Sequence, residues 1–228
     1  MRSLLVLAAL ATIASGCSKD GANQSISDAH HSSTTDATMQ GGEMAGGMTM
    51  SGDMEKDMPM MNDMMVRGLG QGDSLYDHRF IDMMIPHHEG AVKMATDAQV
   101  KANRPELKKL AQRIIAGQQT EIDQMNDWRA DWYGANSQTG AANRDEMMQH
   151  MSSMNDTMVR KLGPRDADYE DRFIDMMVPH HEAAIKMAED ALSKATHPEL
   201  KALARSIIGA QRKEIGEMER WRQEWYGH

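Results

Sequence analysis

Residues 61–134 return as residues 154–227 at a constant offset of 93, without a gap, and 45 of the 74 aligned positions are identical. Identity that high inside one chain marks a duplication. It constrains the fold strongly, because any element built by one copy must be built by the other. The segment RFIDMMIPHHEGAVKMA (79–95) recurs as RFIDMMVPHHEAAIKMA (172–188). A Pro-Glu-Leu triplet, an Ile-Ile pair, a Glu-Ile pair and a Trp followed by Trp-Tyr-Gly recur as well.

Each repeat reads as three helical pieces. The first is short and striped with methionine. Met54, Met58, Met61 and Met65 step by four, three and four residues, as do Met147, Met151, Met154 and Met158. That spacing places each set on one helix face. The second helix is expected from near Asp73 or Asp166 to about Ala102 or Ala195. Its buried stripe is Phe80, Met83, His87, Ala91, Met94 and Ala98. The third is expected to open on a capping box, Asn103-x-x-Glu106 and Thr196-x-x-Glu199, with Pro in the first turn. Leu107, Leu110, Ile114, Ile122, Met125 and Trp132 carry its apolar face, and Gly134 and Gly227 stand at its end. The Trp128/Trp132 and Trp221/Trp225 pairs read as packing. No stretch alternates as a strand does. Aromatic residues are 4% of the chain, so the fold is not expected to rest on aromatic packing. A lone helical hairpin cannot bury its stripe, whereas two related hairpins bury each other. The expectation is an all-α four-helix bundle with a pseudo-twofold axis, each hairpin preceded by a short Met-rich helix.

The N-terminus reads as an export leader, residues 1–16. Arg2 precedes a short apolar run, Leu4 to Ala14, and Ala14-Ser15-Gly16 lead into Cys17, the single cysteine. The run is too short for a permanent span. Small residues before Cys resemble a bacterial lipobox, which makes Cys17 the lipid-modified first residue of the mature protein. Plain secretion with an incidental Cys is the alternative. Both put the mature chain outside the cytoplasm, in the cell envelope, with the membrane reached only by the anchor. Residues 17–52, rich in Ser, Thr, Gly, Asp and Met, read as a disordered tether, and 53–228 as the bundle. A net charge of −9 without a basic run argues against nucleic acid as a partner.

Methionine is the outlier in composition, with 24 Met against 12 Leu. In Met83-Met84-Ile85-Pro86-His87-His88 and its twin Met176-Met177-Val178-Pro179-His180-His181, each His has a Met one turn before it. Met94 and Met187 follow two turns after His87 and His180, and Met125 and Met218 on the third helix stand where they can face the His. Thioether sulfur is soft and uncharged, binding Cu(I) well and Mg or Ca poorly, and imidazole also suits copper. Zinc sites prefer Cys, His and carboxylate. The Met/His sets therefore point to copper, with Cu(I) favoured. Whether His87 and His88 serve one ion or two stays open. The stripes at 54–65 and 147–158 are accessory donors or core filling. Pro86 and Pro179 either kink a continuous helix or mark its restart. Glu89 and Glu182 are either partners of the His or solvated.

Two other functions compete. One is a metal-independent scaffolding module whose Met faces pack on a partner protein. The other is a carboxylate di-iron oxidase, for which Glu89, Glu121, Glu182 and Glu214 are present but the Glu-x-x-His motif is not. No Ser/His/Asp set, phosphate loop or nucleotide fingerprint appears, so no catalytic residue is named.

At F-I-D-M-M-[IV]-P-H-H-E-x-A-[VI]-K-M-A, followed by I-I-x-x-Q-x-x-E-I-x-x-M-x-x-W, the chain resembles the bacterial domain of unknown function 305. The match occurs twice and covers nearly all of 61–228. The resemblance implies a ferritin-like bundle formed by both halves, an exported protein and, from some members, copper binding and copper tolerance. It brings no established catalytic activity. It carries over His87, His88, His180 and His181 with Met84, Met94, Met177 and Met187. It also implies that Gln118, Glu121, Gln211 and Glu214 face inward, where they orient the His. A copper-transfer protein is the partner such a role calls for.

Overall fold

Among the described residues, six helices account for the secondary structure: α1 (Met54–Leu69), α2 (Tyr76–Lys101), α3 (Pro105–Tyr133), α4 (Arg144–Leu162), α5 (Tyr169–Lys194) and α6 (Pro198–Tyr226). The computed structural model describes residues 54–134 and 144–228, without the side chains of 54–56 and 144–147, and no strand occurs among the described residues. The leader, Cys17, the tether and the side chains of Met54 and Met147 lie outside the described residues. No described helix is long and apolar enough to cross a membrane.

Helices α2 and α3 form one hairpin and α5 and α6 the other, and the hairpins meet along α2 and α5. The short helices cross over. Helix α1 packs chiefly on α5, and α4 packs chiefly on α2, each against the opposite repeat. Two apolar clusters form the core. One joins Tyr76, Phe80 and Met84 of α2 and Met125 of α3 to Met187 and Ala191 of α5 and Leu203 and Ile207 of α6. The other is its twin, with Tyr169, Phe173, Met177 and Met218 against Met94, Ala98, Leu110 and Ile114. The start of α2 therefore lies beside the end of α5, so the two helices run antiparallel and cross near their middles. Aromatic residues are few but hold more of the core than their number suggests. Tyr76, Phe80, Tyr169 and Phe173 are fully buried, and Trp128/Trp132 and Trp221/Trp225 stack at 5.1 and 5.2 Å.

Hydrogen bonds tie each repeat to the other in reciprocal pairs. Tyr76 Oη donates to Asp190 and Tyr169 Oη to Asp97, both at 2.8 Å. Lys194 Nζ donates to the Gly70 carbonyl and Lys101 Nζ to that of Gly163. Gly70 and Gly163 end α1 and α4 at φ of 71° and 70°, a region L side chains disfavour. Arg79 and Arg172 secure those ends by donating to the Leu69 and Leu162 carbonyls.

Two sequence expectations about helix starts are corrected. Helix α2 begins at Tyr76 and α5 at Tyr169, three residues later than Asp73 and Asp166. Those aspartates build turns instead, Asp73 Oδ1 accepting from Leu75 N at 2.9 Å and Asp166 Oδ1 from Asp168 N at 3.1 Å. The capping boxes are absent as well. The N-caps of α3 and α6 are Arg104 and His197, neither making a side-chain cap bond. The capping carboxylates come from the other hairpin. Glu170 accepts from the backbone of Asn103 and Arg104, and Asp77 from the backbone of Thr196 and His197 and from both their side chains. Burial opposes ionisation of Asp77, but the donors at His197 and Thr196 outweigh it and hold its carboxyl below the usual range. Asp77→Ala is expected to cost about 2–3 kcal/mol, the loss of a cap made of charge-assisted bonds. Urea unfolding checks this, and a cost under about 0.5 kcal/mol, the level of an ordinary surface change, would contradict it.

Candidate metal centre

Helix α2 continues unbroken through Pro86, and α5 through Pro179, so the reading of a restart at Pro is excluded. Each Pro lacks an N–H, which leaves the carbonyl four residues earlier without its helical donor. Because the helices go on, the paired His that follow project from the middles of α2 and α5, where these helices cross. His87 and His180 meet there with ring centroids 3.8 Å apart and a tilt of 34°. All four imidazoles are buried, none more than 3% exposed.

Polar residues from every helix converge on this layer. His88 Nε2 lies 2.8 Å from Glu121 Oε2 of α3, and His181 Nε2 lies 2.8 Å from Glu214 Oε2 of α6. A carboxylate on one ring nitrogen fixes the tautomer and directs the other nitrogen to a ligand. That other nitrogen, Nδ1, has no partner in His87, His88, His180 or His181. Both amide atoms of Gln118 and of Gln211 are likewise buried and unpartnered. Leaving a buried polar atom unsatisfied costs about 1–3 kcal/mol. Their concentration around the paired His marks this layer as the candidate site. Burial first, and then the neighbouring imidazoles, push His87 and His180 well below the ordinary histidine range. Both are neutral at pH 7, the form that binds metal.

The methionines divide differently from their order along the chain. Met83, Met84 and Met125 pack with Met187 of the other repeat, while Met94 packs with Met177 and Met218, against which Met176 rests. Met94 and Met187 are therefore exchanged between the repeats, because α2 and α5 are antiparallel. Every one of these thioethers except Met176 is buried. Along the accessory stripes, Met58, Met151 and Met158 are buried and Met61, Met65 and Met154 are partly so. Glu89 and Glu182 are exposed, one residue and about 100° around the helix from the second His, on the solvated side. The open groove lined by Asp63, Val66, Arg67, Lys186, Glu189 and Asp190 contains none of the His or Met candidates.

Among the described residues, no three His, Cys, Asp or Glu side chains come together in a way that could hold a metal ion. The carboxylate cluster of a di-iron centre is thus missing from them. Buried methionines of the two apolar clusters precede and follow the paired His along α2 and α5.

Two residues of the layer escape a search for metal ligands. Asn62 of α1 donates through Nδ2 to the Pro179 carbonyl at 3.1 Å, and Asn155 of α4 to the Pro86 carbonyl at 2.8 Å. Both are buried. The available signal was a polar residue four after Met58 and Met151 on an otherwise thioether stripe, present in both repeats.

These features define a class: an all-α duplicated bundle with a buried histidine layer between two methionine-bearing cores. The chain belongs to the family described as domain of unknown function DUF305, whose model matches residues 77–222. Among solved structures, CopM in its Cu(I)-bound form is 36% identical, with a TM-score of 0.54, over 66% of this chain and 98% of that one. CopM in its Cu(II)-bound form is 34% identical over the same shares, with a TM-score of 0.53. A DUF305 fragment from Deinococcus radiodurans is 27% identical over 63% of this chain and 92% of its own, with a TM-score of 0.51. No curated protein matches the chain.

Proposed function

We propose that this protein binds copper in the cell envelope and buffers it there, holding it as Cu(I) between the paired histidines and the flanking methionines. The observation that carries this reading is the buried layer of four imidazoles whose Nδ1 atoms lack partners, bounded by thioethers on both sides. Neutral imidazole and uncharged sulfur suit a soft monovalent ion, since they add no net negative charge that would favour a divalent one. Similarity to CopM, solved with Cu(I) and with Cu(II), supports the choice of metal. The ligands we assign are His87, His88, His180 and His181 with Met83, Met84, Met125 and Met187 on one side and Met94, Met176, Met177 and Met218 on the other. Glu121 and Glu214 orient the second His of each pair. The site holds copper as cargo, passed on to a copper-transfer protein, and no reaction is assigned. Location in the envelope rests on the apolar run at 4–14 and the small residues before Cys17, the proposed lipid anchor.

Competition titration of the leaderless protein against a Cu(I)-specific chelator tests the proposal under anaerobic, reducing conditions. Wild type is expected to withdraw Cu(I) from the chelator. A variant with His87, His88, His180 and His181 all changed to Ala is expected to lose that capacity by at least about a hundredfold, the scale of about 3 kcal/mol of lost binding. Equal Cu(I) uptake by the two proteins would defeat the assignment.

A further inference from the structure

We infer that Glu121 and Glu214 form the entrance to the histidine layer: the soft monovalent cation reaches the buried imidazoles from the side of α3 and α6, drawn in past these two carboxylates. The inference rests on the copper reading for the identity of the ion.

An ion must cross the surface of the bundle to reach this layer. None of the four paired His is more than 3% exposed, and Asn62, Asn155, Gln118 and Gln211 are buried as well. Glu121 and Glu214 differ. Each holds Oε2 2.8 Å from a fully buried Nε2, of His88 and of His181, yet Glu121 is 16% and Glu214 13% exposed. These two side chains therefore reach from an imidazole to the surface. Neither forms an ion pair with Lys or Arg among the described residues. A carboxylate without a basic partner, half withdrawn from water, attracts a cation more strongly than one in bulk solvent.

The polar lining continues inward from each carboxylate. Gln118 stands one turn before Glu121, and Gln211 one turn before Glu214, on the same side of the helix. Both amide atoms of each Gln are buried and unpartnered. A cation that sheds water at the carboxylate thus has uncommitted oxygen beside it on the way to the imidazoles.

The opposite side of the layer is built differently. Gly90 lies two residues after His88, about 200° around α2, and faces Asn155 of α4. Asn155 and Asn62 direct their Nδ2 donors at the Pro86 and Pro179 carbonyls. Met58, Met151 and Met158 are buried on the same two short helices. That side offers a cation neither negative charge nor a polar group in reach of water.

Stopped-flow uptake of Cu(I), supplied anaerobically as its acetonitrile complex to the metal-free leaderless protein, tests the inference at low and high ionic strength. The variant Glu121→Gln with Glu214→Gln removes the charge but keeps an oxygen that can accept from Nε2–H. The control, Glu89→Gln with Glu182→Gln, removes the same charge one residue beyond each His pair, on the solvated side. Uptake by wild type is expected to slow as salt is raised. In E121Q/E214Q the association rate is expected to fall by about tenfold or more and to lose most of its salt dependence, while the control stays within about twofold of wild type. A role confined to orienting the His survives in the Gln variant and predicts no change in association. An unchanged association rate in E121Q/E214Q, or an equal fall in the control, would overturn the inference. Glu121→Asp with Glu214→Asp keeps the charge while shortening the reach to the His. It is expected to retain fast, salt-dependent uptake, and it decides the matter if melting curves show that the Gln variant does not fold: slow uptake by the Asp variant would then defeat the inference. A wild type that takes up no Cu(I) overturns the copper reading and this inference with it, whereas uptake at unchanged rates overturns this inference alone.

Discussion

Acidification from about pH 7.5 to about pH 5.5 is expected to remove about 2–3 kcal/mol of folding stability from the metal-free protein through His87 and His180 alone. Both are pushed well below the ordinary value of 6.5 by burial and then by neighbouring imidazoles. Unfolded, they titrate near 6.5. Above that pH neither state binds the protons and the stability is fully present. As the pH falls below it, the unfolded chain takes up two protons that the folded protein refuses. Stability is lost at about 1.4 kcal/mol per pH unit for each histidine until the folded values are reached. Urea unfolding at the two pH values measures the slope. A double variant, His87→Gln with His180→Gln, removes both groups and is expected to flatten it, whatever the substitutions cost at neutral pH. The same slope in wild type and double variant would contradict the assignment. Since a domain of ordinary stability has about 5–15 kcal/mol in total, the loss is a large fraction of it.

A single repeat, residues 53–134, is expected not to fold as a monomer. Its α2 stripe is covered by α5 and α6 and by the opposite short helix α4, and its α3 receives its N-terminal cap from Glu170. Exposing even four buried Met, Leu or Phe side chains forfeits about 6–12 kcal/mol, comparable with the whole stability of a domain. The fragment is expected to be unfolded when dilute and to regain helix only as a dimer at higher concentration. Sedimentation and circular dichroism across a concentration series distinguish these states. A monomer with a cooperative melt would show that the repeats are independent units.

Much of this architecture was legible in the residues. The offset of 93 revealed the duplication, the steps of three and four located the helices, and the doubled Pro-His-His marked the centre. Glu121 and Glu214 stand against His88 and His181, and Gln118 and Gln211 are buried. What was hidden is what depends on how helices cross. Spacing tells which face Met94 occupies, but not that the face meets Met177 and Met218 of the other repeat. The capping boxes at Asn103 and Thr196 failed for the same reason. Local pattern named an acid three residues ahead in the helix, while tertiary packing brought Glu170 and Asp77 from far away in the chain. Asn62 and Asn155 were visible as polar breaks in Met stripes, but their meaning lies in carbonyls more than sixty residues distant.

The exchange of short helices and caps between the repeats means that this chain is a symmetric dimer written as one polypeptide. Two identical subunits related by a twofold axis must change together, since every mutation appears at both ends of the assembly. A covalent pair is released from that rule. Here His197 lies flat on Trp132 at 3.7 Å at one end, while at the other its counterpart Arg104 sits over Trp225 at 4.2 Å. Gly90 and Ala183 differ in the same way beside the histidine layer. Duplication has thus allowed the two halves to specialise while each continues to serve as the other's template.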